Sequence, residues 1–235
     1  MADITTHYQD HTLLIRISDT LHAPSAGELF VNLVEILSEA ERSEEVRSIV
    51  LTGHQGFLRS LALPSGLPAQ EAQAWVEGWH TVLETVDTGT RPVVAALEGE
   101  VSAMGFALAL ACERVVVSRS MRLVQEPGQH GLGSGLSWFL GQHLPQSLAS
   151  QLLLGSAARI QPEQLLQAGL IGMLVGQGEA LDHALADAAH LNRHAAHTVQ
   201  LARELLRQAP LQSLHAQLEA ERQLLWKLQR QSPIS

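Results

Sequence analysis

The sequence predicts an α/β fold, and three observations carry that prediction. Short apolar runs of strand type recur at 12–17, 46–52, 93–97 and 115–117. Between them lie helical patterns: Leu29, Leu33, Ile36, Leu37 and Ala40 in one stretch, and Trp75, Trp79, Val82, Leu83 and Val86 in another. The third observation is Arg91–Val117, RPVVAALEGEVSAMGFALALACERVVV. It reads as a strand, a turn at Gly99, small residues to Gly105, a short helix Phe106–Cys112 and a second strand. Apolar residues on all sides place this unit in a core. A helix that begins at a glycine turn points free N–H groups at whatever precedes it, which suits a developing oxyanion.

Taken in order, Thr12–Ile17 reads as the first strand, with Leu13, Leu14, Ile15 and Ile17 apolar, and Asp19–Ser25 as a turn. Gly27–Arg42 is an amphipathic helix and Val46–Thr52 the next strand, ending in Leu51-Thr52-Gly53. Pro64–Pro68 is loop and Ala69–Val86 helix. Beyond the central unit, Gly131, Gly133 and Gly135 precede the apolar run Leu136–Leu140. Gly178–Asn192, His194–Gln208 and Leu211–Gln231 complete the chain as helices. The expected division is a core at 1–177 and a C-terminal helical region at 178–235.

Composition narrows the function classes. A length of 235 residues with 46% hydrophobic content supports a sizeable core. No apolar run approaches a membrane span and the polar N-terminus does not read as a signal peptide, so no membrane partner is expected. The single cysteine, Cys112, excludes an intramolecular disulfide, and its place in the apolar unit predicts burial; a cytoplasmic location is expected. A net charge of −9 without a basic patch argues against nucleic acid. The only lysine, Lys227, lies in a terminal amphipathic helix, which argues against Schiff-base chemistry. Phosphates of any cofactor would meet arginines, histidines or backbone N–H groups. His183, His190, His194 and His197 would share a face if they stood on one helix, yet no acid or cysteine sits at ligand spacing, so a solvated face is expected and no metal. Gly131-x-Gly133-x-Gly135 lacks the final glycine of a dinucleotide fingerprint and the Lys-Ser/Thr of a P-loop.

The central unit resembles the enoyl-CoA hydratase/isomerase (crotonase) family. Arg91, Pro92, Val93, Val94, Ala95, Ala96, Gly99, Gly105, Leu108, Ala109, Leu110, Ala111 and Cys112 match its pattern. Leu51-Thr52-Gly53, Phe57, Leu63, Leu152-Leu153-Leu154-Gly155, Glu163-Gln164-Leu165 and Gly169-Leu170-Ile171 extend the likeness over about 13–175. The resemblance implies a crotonase fold, a ββα spiral core followed by C-terminal helices (178–235) that cover the pocket and mediate oligomerisation, assembled as a homotrimer or a dimer of trimers. It also implies an acyl-CoA or acyl carrier protein as partner. The CoA or phosphopantetheine thioester would be a substrate carrier rather than a tightly bound cofactor. By alignment to the family, the backbone N–H groups of Leu61 and Met104 form the oxyanion hole.

The departures are specific. The family's two catalytic glutamates fall on Ala107 and Pro127, and neither residue exchanges protons. Glu126 is one residue out of place, which in extended chain turns it to the opposite face. Met104 and Ala103 stand where the family has glycines, Ser60 and Ala62 where it has glycine and aspartate. The basic CoA loop is missing, since neither Lys nor Arg lies between Ser18 and Arg42. Trp79-His80, with His80 twelve residues before Pro92, resembles the family's 4-chlorobenzoyl-CoA dehalogenases, making His80 a candidate general base. The nucleophilic aspartate of those enzymes falls on Gly135, so their route is unsupported here. His130 lies near the loop of Glu126. Three readings follow. One is an atypical acyl-thioester enzyme, decarboxylase- or isomerase-like as in polyketide β-branching. Another is a non-catalytic binding or assembly homologue. The third is a hydratase whose relocated acid is Glu126.

Overall fold

The structure, a computed structural model, describes residues 4–17, 26–54, 56–64, 66–124, 133–154, 160–208, 213, 215–220 and 222–223. The chain falls into two compact units, Met1–His190 and Leu191–Ser235. The first unit opens with β1 (Ile4–Gln9), β2 (Thr12–Ile17), α1 (Ala26–Arg42), β3 (Ser48–Thr52), β4 (Gly56–Phe57) and α2 (Ala69–Thr88). It continues through β5 (Val93–Leu97), β6 (Glu100–Ser102), α3 (Ala103–Ala111), β7 (Arg114–Ser118) and β8 (Arg122–Val124). Then come α4 (Leu136–His143), α5 (Gln146–Leu153), α6 (Pro162–Gln167), β9 (Met173–Val175) and α7 (Ala180–Leu191). The second unit contains α8 (Ala196–Gln208).

Two sheets result. The larger has six strands in the order β1-β2-β3-β5-β7-β9, and the smaller three in the order β4-β6-β8. Among the described residues only β1–β2 is antiparallel, a hairpin turned by Asp10 and His11 at φ 47° and 65°, which is the pair of left-handed residues a two-residue hairpin needs. All other pairings are parallel. Three times in succession one strand joins the large sheet and the next joins the small one: β3 then β4, β5 then β6, β7 then β8. A helix follows β4 and another follows β6, so the chain winds as a spiral of ββα turns.

Strands β3 and β5 are buried along their whole length, as expected where a parallel sheet is covered on both faces. One face, carrying Ile15, Ile17, Ile49, Leu51, Val93, Ala95, Leu97, Val115 and Val117, joins the main core with residues of α1, α2 and α3. The other face carries Arg16 and Thr52, which border a cavity of about 190 Å³ together with Ala180 and Leu181 of α7. Ala180, Ala184 and Ala188 are buried at i, i+4, i+8 spacing, and Asp187 pairs with Arg114 of β7 at 2.6 Å. Among the largest side chains, Trp79 is fully buried, stands 5.5 Å from the Phe30 ring and donates Nε1–H to Ser134 O at 2.8 Å. Trp79→Ala is expected to cost about 3–5 kcal/mol, read as a fall in the thermal midpoint.

The structure corrects several sequence expectations. Thr12–Ile17 is the second strand, because Ile4–Gln9 pairs ahead of it; that polar, exposed edge strand has no apolar alternation to reveal it. Strands β4, β6, β8 and β9 have two or three residues each, too few to show a period. Helix α3 starts at Ala103, three residues before the expected Phe106, because Ser102 caps it by accepting the Gly105 N–H at 3.0 Å. The four histidines do not share a helix. His183 and His190 lie on α7, His197 on α8 and His194 between them. Among the described residues no group of His, Cys, Asp and Glu is arranged to hold a metal, and no helix is long and apolar enough to cross a membrane. Cys112 is buried, its thiol donating to Leu108 O at 3.2 Å. Within Leu211–Gln231 residues 215–220 and 222–223 are helical, and the remainder of that expected helix lies outside the described residues apart from Ser213.

Candidate active site

Two turns leave the small sheet side by side. Strands β4 and β6 are parallel neighbours, with Gly56 opposite Glu100 and Phe57 opposite Val101. The chain after β4 and the chain after β6 therefore emerge at the same edge. The first makes the turn Leu58–Leu61; the second starts α3. They meet at Gly105. A Cβ there would lie 2.4 Å from Phe57 O, 3.2 Å from Phe57 Cδ1 and 3.3 Å from Leu58 Cβ. Glycine is required because the backbones touch.

The donors at this junction are backbone N–H groups. At the head of α3 the Gly105 N–H is taken by Ser102 Oγ. Ala103 and Met104, the first two residues of the helix, have no preceding turn of carbonyls to donate to. In the other turn Leu61 N–H donates to Leu58 O at 2.9 Å. Leu58 stands at φ +50°, a left-handed conformation uncommon for leucine, with its side chain fully buried. Nothing in the sequence signals that conformation. Outside, Arg59 pairs with Glu100 of β6 at 3.2 Å, an exposed contact between the Leu58–Leu61 turn and that strand.

The side chains around the junction are apolar. Leu61 is 3% exposed, Met104 5% and Ala107 0%, and all three belong to the main core. Met104 thus buries its side chain in the core while its N–H lies at the helix start. Ala107, one turn further on, has no carboxylate and no solvent contact.

His80 stands elsewhere. It is exposed on α2, with Nε2 3.0 Å from Gly133 O. A carbonyl only accepts, so Nε2 is the donor of that bond. His80 borders a groove of about 310 Å³ with Leu83, Glu84, Asp87, Gly135, Trp138 and Phe139. His80 and Gly135 are brought together there, but neither Leu61 nor Met104 borders that groove. Gly135 has φ 81°, and a Cβ on it would fall 2.5 Å from Leu83 Cδ1. Gly135→Asp is expected to destabilise by about 1–3 kcal/mol, seen as a lower thermal midpoint, and to give no dehalogenation. Glu126, Pro127 and His130 lie outside the described residues, as does the expected CoA loop at 19–25.

The model of the enoyl-CoA hydratase/isomerase family matches residues 18–234. The chain belongs to that family. The expected crotonase fold is therefore the observed one. The enoyl-CoA hydratase of Polaromonas sp. JS666, a solved structure, is 31% identical at a TM-score of 0.80, with 96% of this chain and 91% of that chain covered. The 2,3-dehydroadipyl-CoA hydratase of Escherichia coli K12 is 28% identical over 232 residues, 95% of this chain and 89% of the relative. The 1,2-epoxyphenylacetyl-CoA isomerase of the same organism is 29% identical over 206 residues, 83% of this chain and 78% of the relative. Hydratases at 28% and 31% identity and an isomerase at 29% are thus all similar to this chain.

Proposed function

We propose that this protein acts on an acyl thioester, carried by CoA or by an acyl carrier protein, and polarises its carbonyl with the N–H groups of Leu61 and Met104. When a C–H or C–CO2 bond at the α-carbon breaks, negative charge collects on the thioester oxygen, and two preorganised donors stabilise that enolate. The reaction would be an isomerisation or decarboxylation rather than addition of water. The observation that carries this reading is the backbone contact at Gly105, which holds the two donor-bearing turns together. Ala107 supports the second half of it. Each general acid or base contributes on the order of 100- to 10,000-fold, so a site without the glutamate pair should hydrate poorly. The relatives' thioester names support CoA as one carrier. Assembly as a trimer or a dimer of trimers, with both carriers free to exchange, belongs to the same proposal.

Calorimetric titration with acetyl-CoA and with an acetylated acyl carrier protein tests binding, and α-proton exchange of the acyl group in D2O, followed by NMR, tests enolate formation. Saturable binding and slow exchange without hydration of crotonyl-CoA are expected. If the His80 imidazole delivers the proton, His80→Ala lowers exchange on the order of 100-fold; unchanged exchange excludes it. Crotonyl-CoA hydration abolished by Glu126→Gln would replace this reading with a relocated-acid hydratase. A non-catalytic homologue is the second reading. The bond from Leu61 N–H to Leu58 O favours it, since one donor is already occupied. Absence of binding to both carriers would establish it.

A further inference from the structure

The face of the large sheet turned away from the main core carries two opposite charges. Ile15, Ile17 and Leu51 belong to the core, so alternation turns Arg16 and Thr52 to the other face. Register sets Arg16 of β2 opposite Thr52 of β3, and Thr52 opposite Ala96 of β5. Glu98 follows two residues later, just beyond β5. Arg16 and Glu98 thus come from chain segments two strand spacings apart, about 10 Å. Both line the cavity of about 190 Å³ bordered by Ala180 and Leu181, with His54 exposed at its rim. That volume equals about six waters in the liquid. Neither Leu61 nor Met104 borders it.

The Arg16 side chain is half-buried, and among the described residues it has neither an ion pair nor a hydrogen bond. Glu98 uses one of its two oxygens. Oε1 accepts from the Gly178 N–H and, at 3.4 Å, from Ser120 Oγ, which ties the end of β5 to the loop before α7. Oε2 has no partner among the described residues. A cation and a carboxylate oxygen therefore share one cavity without pairing with each other. Partial burial costs each of them hydration that a partner would offset. A lone anion on Arg16 would meet the like charge of Glu98, and a lone cation on Glu98 would meet Arg16. A molecule that carries both charges meets neither repulsion.

We infer that this cavity binds a small amino acid, its carboxylate on the Arg16 guanidinium and its ammonium on Glu98 Oε2. A guanidinium offers a carboxylate two parallel N–H donors, which fixes orientation as well as charge. The Thr52 hydroxyl is already committed, donating to Ala96 O at 3.1 Å, so Arg16 is the donor that aligns the ligand.

Calorimetric titration of the full native chain tests this with four ligands. L-Alanine and β-alanine carry both charges at different separations; propionate and ethylamine carry one each. Saturable binding of one of the amino acids is expected, at least about 10-fold tighter than that of propionate or ethylamine. Arg16→Met keeps the apolar stem, and Glu98→Gln keeps an acceptor for the Gly178 N–H. Each should weaken that binding on the order of 10- to 100-fold, the scale of a lost charge-assisted hydrogen bond. Propionate binding as tightly as both amino acids would reduce the cavity to an anion site and overturn the inference. Absence of binding by both amino acids overturns it too, as does binding that survives both substitutions. The four-ligand comparison needs the native chain alone, so it decides the matter even where a variant fails to fold.

Discussion

Ala107→Glu is expected to destabilise the protein without creating a hydratase. The position is where the family places its first glutamate, so the substitution looks like a restoration. The surroundings say otherwise. Ala107 is 0% exposed on a helix whose residues from Met104 to Ala109 are all buried. A glutamate there adds four heavy atoms to a packed core and an ionisable group without a hydrogen-bond partner. Its carboxyl would be driven towards the neutral form, and the loss should be about 3–5 kcal/mol. For a chain of this size that corresponds to a fall of roughly 6–20 °C in the thermal midpoint. Crotonyl-CoA hydration, followed by NMR, should remain at the level of the native protein. A variant that melts normally and hydrates crotonyl-CoA would show that this face of α3 opens on a pocket.

Gly105→Val carries the second large effect. Its Cβ would stand 2.4 Å from Phe57 O, and the obstructing atom is backbone rather than the end of a flexible side chain. The start of α3 and the turn after β4 must then separate. We expect a stability loss of about 1–3 kcal/mol and thioester binding weakened on the order of 100-fold or more, because displacement of a donor by about 1 Å carries a cost of that size. Gly141→Ala is the matched control. It also lies in a helix, nothing lies within 4 Å of the added Cβ, and the substitution should leave binding unchanged while adding roughly 0.5–1 kcal/mol of stability. Equal binding by Gly105→Val and the native chain, measured by the same titration, would remove Gly105 from the site.

Legibility of the fold varied with element length and burial. Helix α1 and strand β2 read well because each carries an apolar pattern long enough to repeat: Leu29, Leu33 and Leu37 on one face of α1, Ile15 and Ile17 on one face of β2. The small sheet was illegible, since a two-residue strand such as Gly56–Phe57 owes its existence to its partner Glu100–Ser102. Strand β1 failed for the opposite reason. It is long enough, but as an exposed edge it is free to be polar.

The candidate site divides the same way. Absence of carboxylates at 107 and 127 is a property of residue identity, and the sequence alone determines it. It also determines the family, through Arg91–Cys112 and its flanking motifs, and the scarcity of lysine. What only the tertiary structure decided is how the backbone is used. Phe57 and Gly105 are distant in the chain and touch because β4 and β6 are neighbours. His80 came to border a groove with Gly135 that neither Leu61 nor Met104 lines. Leu58 took a left-handed conformation against its own preference, beside the backbone contact at Gly105. Side-chain identity and periodicity are local and survive in a string of letters. Close approach of two backbones, and the strain one residue accepts to permit it, arise from non-local packing, and no single stretch of sequence encodes them.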